Sequence, residues 1–150
     1  MPRGQALRLS SHNPTVRIGR APDAPAVLNL WRDARSAHAS TADRLEDVQR
    51  LLWETPGSLL VAECDGAILG ALIAGWDGWR GNMYRLAVLC THRRQGIGMA
   101  LVRAGEEHLR RRGACRITAL VGFDDPTAAA FWDSAGYPQD RAIGRRVRNI

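Results

Sequence analysis

A mixed α/β domain with a mostly antiparallel, twisted sheet flanked by helices is predicted from three observations. Asp65-Gly66 separates two apolar runs, SLLVAEC and AILGALIAGW, which is the strongest hairpin signal in the chain. NMYRLAVLC supplies a further strand, after which the apolar period switches to that of a helix in GIGMALVRAGEEHLRRRG. An apolar strand, CRITALV, and another helix, DPTAAAFWDSAG, come next. Consecutive strands that lead into a crossover helix build a sheet that is antiparallel at first and mixed later, with helices covering its faces.

Taken in order, TVRIGRA is read as a short first strand. APDAPAVLNLWRDAR opens with Pro22 and Asp23 near a helix start, and Val27, Leu30, Trp31 and Ala34 recur at helical spacing. A second short helix fits TADRLEDVQRLLWET, with Thr41 as cap, Leu45, Val48 and Leu52 in a stripe, and Gly57 as its stop after Pro56. Trp31 and Trp53 both fall in apolar stripes and are expected in the core. In the long helix Ile97, Leu101, Ala104 and Leu109 share one side, and Gly113 is placed to end it. AIGRRVRNI is expected to close the sheet as an exposed edge strand whose charge discourages association. The predicted order is therefore β-α-α-β-β-β-α-β-α-β.

At 150 residues the chain suits one domain able to bury roughly 68–70% of its potential surface. Residues 1–15 are read as a flexible lead-in and 16–150 as the single folded domain. The start, MPRGQALRLSSHNPT, lacks an apolar run of secretory type, and no stretch approaches 18 consecutive apolar residues. A cytoplasmic protein is expected, with no membrane partner. Cys64, Cys90 and Cys115 are widely spaced and form no CxxC pair, so buried thiols are expected rather than disulfides, and no metal site. All 21 basic residues are arginine, against 15 acidic ones, a formal +6 that favours anionic partners. No helix-turn-helix, zinc or aromatic RNA-binding pattern accompanies that charge, so nucleic acid is not expected as the partner.

The most informative stretch is LAVLCTHRRQGIGMALV, from Leu86 to Val102. A strand ends near Cys90, and Arg93-Arg94-Gln95-Gly96-Ile97-Gly98 bends into a helix. Backbone N–H groups converge at such a turn, and the helix adds its positive end. Gly96 and Gly98 carry no side chain to hold a phosphate away from those donors, and Arg93 and Arg94 offer charge-assisted contacts, with His92 nearby. Neither GxxxxGK[ST] nor GxGxxG is present, so a phosphate seat and a merely tight turn both stand on these residues alone.

Arg93 to Gly98, with Leu86-Ala87-Val88 before it, resembles the R/Q-x-x-G-x-G/A motif of the GCN5-related N-acetyltransferase (GNAT) superfamily. Ala130-Phe131-Trp132-Asp133-Ser134-Ala135-Gly136-Tyr137 is similar to the A-x-x-F-Y-x-x-x-G-F region of that family, with Asp125-Pro126 where Asn-Pro often stands. GWDGWRGNMYRLAV looks like small bacterial acetyltransferases close to those that modify a ribosomal-protein alanine. The resemblance spans about residues 16–149. It implies a GNAT-like fold, acetyl-CoA (coenzyme A) as acyl donor, and direct transfer to an amine of a small molecule or peptide, by a monomer or homodimer. By the same resemblance, Val88, Leu89 and Cys90 would hold the pantetheine arm through their backbone. Arg93, Arg94, Gln95, Gly96, Ile97, Gly98 and Met99 would take the pyrophosphate. Asp125 and Trp132 would border the thiol end, with Phe131 a core contact, and the Val88 N–H would polarise the thioester carbonyl.

Two departures from the family pattern bear on mechanism. Trp132 stands where a tyrosine often protonates the departing thiolate, and an indole cannot supply that proton. Asn82 and Leu120 stand where carboxylate bases are common, leaving Glu54, Asp77, Asp124 or a water chain. Tyr84 lies two and four residues before Leu86 and Val88, and so is expected on their strand face. There it replaces the acid, lines the cleft, or packs. Trp76 and Trp79 flank Asp77-Gly78 and either wall an acceptor pocket or pack. A cofactor-binding module with little transferase activity is the alternative reading.

Overall fold

Five strands form one sheet in the order β1-β2-β3-β4-β5: Thr15–Ile18, Leu59–Cys64, Ala67–Trp76, Gly81–Val88 and Ile117–Ala119. The computed structural model describes residues 13–34 and 42–150. The first four strands pair antiparallel and β4 pairs β5 in parallel. Among the described residues four α-helices accompany them: α1 Ala24–Asp33, α2 Leu45–Glu54, α3 Ile97–Arg111 and α4 Pro126–Ser134.

The hairpin forms where Asp65-Gly66 predicted it. Both residues take positive φ, 49° and 80°, the pairing that lets a two-residue turn follow the twist of its strands. Residues 59–62 and 69–74 of its strands are buried without a break because helices cover both faces, so these apolar runs do not alternate. On one face α3 and α4 pack Leu101, Val102, Leu109 and Trp132 against Leu60, Leu72, Ala74 and Met83. On the other, Val27, Leu30 and Trp31 of α1 and Val48 of α2 meet Leu59, Val61, Ala71 and Ile73. Leu101 and Leu109 are fully buried, each worth about 1.5–3 kcal/mol.

Helix ends follow local chemistry. Asp23 accepts the Arg20 N–H at 2.7 Å and pairs with Arg17, whose guanidinium holds the Asp23 carboxyl below its usual range. Gly113 sits just past α3 with φ 101°, as its position in the sequence predicted. Gly136, at φ 94°, ends α4 by handing its own N–H to Asp133 and the Tyr137 N–H to Trp132. The Tyr137 hydroxyl then donates to Glu106 at 3.0 Å, tying the end of α4 to α3.

Several expectations are corrected. Residues 142–150 form no strand; the chain from Gln139 onward is exposed, and Ile143, Val147 and Ile150 lie open beside the arginines. Too few of its side chains are apolar for the segment to offset the cost of ordering it against the three-residue β5 edge. Trp53 is 85% exposed: it lies outside the α2 stripe that buries Val48, whereas Trp31 is core as expected. Cys90 and Cys115 are exposed and only Cys64 is half-buried. Thr41, expected to cap α2, lies outside the described residues; the helix begins at Leu45.

Candidate active site

The site develops where β4 parts from β5. Gly81, Asn82 and Met83 pair with Ile117, Thr118 and Ala119, and the Thr118 hydroxyl donates to Asn82 at 2.6 Å. The last bond of this seam runs from the Leu120 N–H to the Met83 carbonyl, after which β5 has ended and β4 continues alone on that edge. On the other edge, Gly70 lies opposite Val88, and Leu89 donates to the Leu69 carbonyl at 2.9 Å. Antiparallel partners alternate between bonded and unbonded pairs, so Val88 directs its N–H and carbonyl away from β3. Its carbonyl accepts from Arg93 Nε at 3.2 Å, and its N–H faces the open edge.

That edge leads to the start of α3. Arg94 and Gly96 both take positive φ, 62° and 81°, to turn the chain from Cys90–His92 into the helix. No side chain caps this end, and the first intrahelical bond runs from the Ala100 N–H to the Gly96 carbonyl. The amides of Ile97, Gly98 and Met99 are therefore free donors at the positive end of a 15-residue helix. Ile97 buries its side chain, so it can offer a ligand only backbone. A side chain on Gly98 would come within 3.2 Å of the Phe131 ring, so this glycine serves close packing.

The two neighbouring aromatics are buried in the opposite order to the sequence expectation, which put Phe131 in the core and Trp132 at the cleft. Phe131 is half-buried and stands over Gly98, close to Val88. Trp132 is 5% exposed in the core, edge-on to Phe131 and Tyr137 at 5.5 and 5.2 Å. A one-residue step along a helix turns a side chain by about 100°, which sends the two rings in different directions. Asp125 caps α4, accepting the Ala128 N–H at 2.9 Å, so its carboxylate is occupied structurally.

Tyr84 is on the other face of the sheet from Leu86 and Val88. The β3–β4 register shifts between Ala71 and Ile73, where Arg85 sits at φ 54°, so strand parity inverts. Tyr84 and Ala87 join the α1–α2 core, while Leu86 and Val88 join the α3–α4 core. Burial raises the Tyr84 phenol above its usual 10, which keeps it protonated. The bulge has no glycine to announce it, which is why the sequence reading missed it.

A model of the acetyltransferase (GNAT) family matches residues 24–137. The chain belongs to this family. An acetyltransferase of Pectobacterium atrosepticum is 33% identical to it over 122 residues, 81% of this chain and 86% of that protein. Among solved structures, Ard1 from Thermoplasma volcanium superposes with a TM-score of 0.72 at 21% identity, over 82% of this chain and 81% of that one. An aminoglycoside antibiotic 6'-N-acetyltransferase from Acinetobacter haemolyticus gives 0.71 at 20% identity, over 91% and 99%. These likenesses carry the mixed, five-stranded GNAT-like fold expected from the sequence.

The candidate bases of this acetyltransferase are scattered. Asp77 accepts the N–H groups of Arg80 and Trp79, which hold its carboxyl below the usual range and mark it as a turn-forming group. Glu54 lines a separate hollow of about 200 Å³ with Ser58, Trp76, His108 and Arg112, beside the start of β4. Trp76 thus packs at the far end of the strand, and Trp79 is exposed beneath the Arg80 guanidinium. Asp124 is exposed ahead of α4. No cluster able to hold a metal ion occurs among the described residues, and no helix is long and apolar enough to cross a membrane.

Proposed function

We propose that the protein is an acetyl-CoA-dependent N-acetyltransferase that moves the acetyl group directly to a primary amine of a small molecule or peptide. One observation carries the reading: the open edge of β4, with the Val88 N–H facing it, runs straight into the uncapped start of α3. The GNAT family uses acetyl-CoA as substrate, and these residues fit it. An extended amide-bearing arm can pair with a free strand edge, and a pyrophosphate can be met by the Ile97, Gly98 and Met99 amides with Arg93 and Arg94 beside them. Leu89 and Cys90 extend the edge, Gln95 and Gly96 form the turn, and Phe131 walls it.

Bound there, acetyl-CoA would supply an activated thioester carbonyl to an uncharged amine; the C–N bond forms as the C–S bond breaks, and CoA leaves as its thiolate, which takes up a proton from solvent. The Val88 N–H donates to the oxygen on which charge develops, and such a donor lowers the barrier by about 3 kcal/mol. Tyr84, protonated and on the α1–α2 face, serves the acceptor side, with water relaying the amine's proton to solvent. The A. haemolyticus likeness supports small-molecule amines as acceptors. The resemblance of GWDGWRGNMYRLAV to ribosomal-protein alanine acetyltransferases supports peptide termini. A single domain over 16–150 and a cytoplasmic setting belong to the same proposal.

Val88→Pro tests it. The substitution removes an edge-facing donor without breaking a bond to β3, and proline is tolerated on such edges; V88A controls for the lost side chain. Free-thiol release from acetyl-CoA, followed with a panel of aminoglycosides and peptides, should fall about 100- to 1,000-fold in V88P and stay near wild type in V88A. Tight acetyl-CoA binding with no acceptor-dependent thiol release by the wild type would instead make the protein a binding module.

A further inference from the structure

Arg85 is anchored through both its backbone and its side chain, and the transfer chemistry does not use it. It adopts φ 54° in the middle of β4, a conformation that L-residues other than Asn and Asp rarely take. Three contacts keep it there, two from Trp31 of α1 and one from the segment just before α2. The buried Trp31 indole donates to the Arg85 carbonyl at 2.9 Å. The Arg85 guanidinium lies over the same indole, 5.6 Å from its centre, and forms an ion pair with Asp43. The Asp43 side chain is only 9% exposed, and it stands two residues before α2. Without the bulge, strict alternation would turn Leu86 and Val88 toward α1 and α2; with it they face α3, next to Gly98 and Phe131.

We propose that Asp43, Arg85 and Trp31 form a positioning clamp for the acetyl-transfer reaction. It sets the face and angle of the Leu86–Val88 edge and links the segment entering α2 to that edge. Arg85 and Asp43 touch no reacting atom; they act through the β4 backbone. The inference rests on the transfer reading above. It implies that whatever acceptor presses on the approach to α2 pulls on the strand that holds the oxyanion donor.

D43N and R85Q remove the pair from either side, D43N/R85Q removes both, and D43R/R85D exchanges the charges. Aspartate tolerates positive φ better than most residues, so the exchange leaves the bulge accessible. Each single variant should lower kcat about ten-fold while leaving acetyl-CoA Kd within about two-fold, since small misplacements near reacting atoms cost more than that. The double variant should be no worse than R85Q, and the exchanged pair should recover most of the loss. Hydrogen exchange in a peptide covering residues 84–89 should quicken in D43N and R85Q but not in β2. Unchanged kcat and unchanged exchange would overturn the proposal. So would a fall in kcat and acetyl-CoA affinity together, in step with Tm and without rescue, because that pattern marks a purely structural pair. If wild type binds acetyl-CoA but transfers to no amine, the transfer reading fails, and the exchange experiment alone then decides whether the clamp holds the edge.

Discussion

Replacing Trp132 and Phe131 one at a time separates two roles that adjacent aromatics are easily credited with together. Trp132 is 5% exposed and meets Phe131 and Tyr137 edge-on, at interplanar angles of 82° and 77°. W132A deletes the indole from the α3–α4 core and leaves a cavity, a loss of about 3–5 kcal/mol. For a domain of this length each kcal/mol lowers Tm by roughly 2–4 °C, so a fall of about 10 °C is expected. W132F keeps one ring of the stack and should cost roughly half as much. Phe131 is half-buried, so F131A should cost only about 1.5 kcal/mol. It strips the wall from Gly98 and the end of β4, and acetyl-CoA affinity should fall about ten-fold as that apolar contact is lost. Urea unfolding followed by far-ultraviolet circular dichroism gives the stabilities, and calorimetric titration with acetyl-CoA gives the affinities. A W132A protein that unfolds within about 1 kcal/mol of wild type yet no longer binds acetyl-CoA would refute the division of roles.

Two further outcomes follow from single side chains. D125A removes the α4 cap and should cost about 1 kcal/mol; loss of acetyl-CoA binding without loss of stability would make Asp125 a ligand-binding group instead. His108 lies beside Gly57, and burial, reinforced by Arg112 and Arg111, lowers its pKa from the ordinary 6.5. The unfolded chain therefore takes up this proton first, so the stability His108 confers is present above pH 6.5 and is lost as pH falls through the folded value. H108Q should unfold with a flatter pH dependence than wild type below neutrality, read as urea midpoints at pH 7.5, 6 and 5; identical slopes would assign the acid sensitivity elsewhere.

Much of the architecture was legible because it is locally encoded. Asp65-Gly66 made the hairpin, Gly113 and Gly136 ended their helices, and Gly96 turned the chain into α3, each through the positive φ that the residue tolerates. Such contacts span only a few positions, so neighbouring letters report them. The closing strand was misread for a related reason. AIGRRVRNI has a strand-like rhythm, but its segment carries four arginines between Arg141 and Arg148 and buries none of its apolar side chains. Rhythm predicts a face; only a surface to receive that face makes a strand.

The sequence by itself determined the family motif, the uncapped amides at the start of α3 and the order of nearly every element. The tertiary structure alone decided which face of the sheet Leu86 and Val88 turn to and which of two adjacent rings stands over Gly98. The physical reason is the range of the forces involved. The Arg85 bulge is held by an indole 54 residues earlier in the chain and by Asp43, and one extra residue there inverts the faces of everything from Leu86 to Val88.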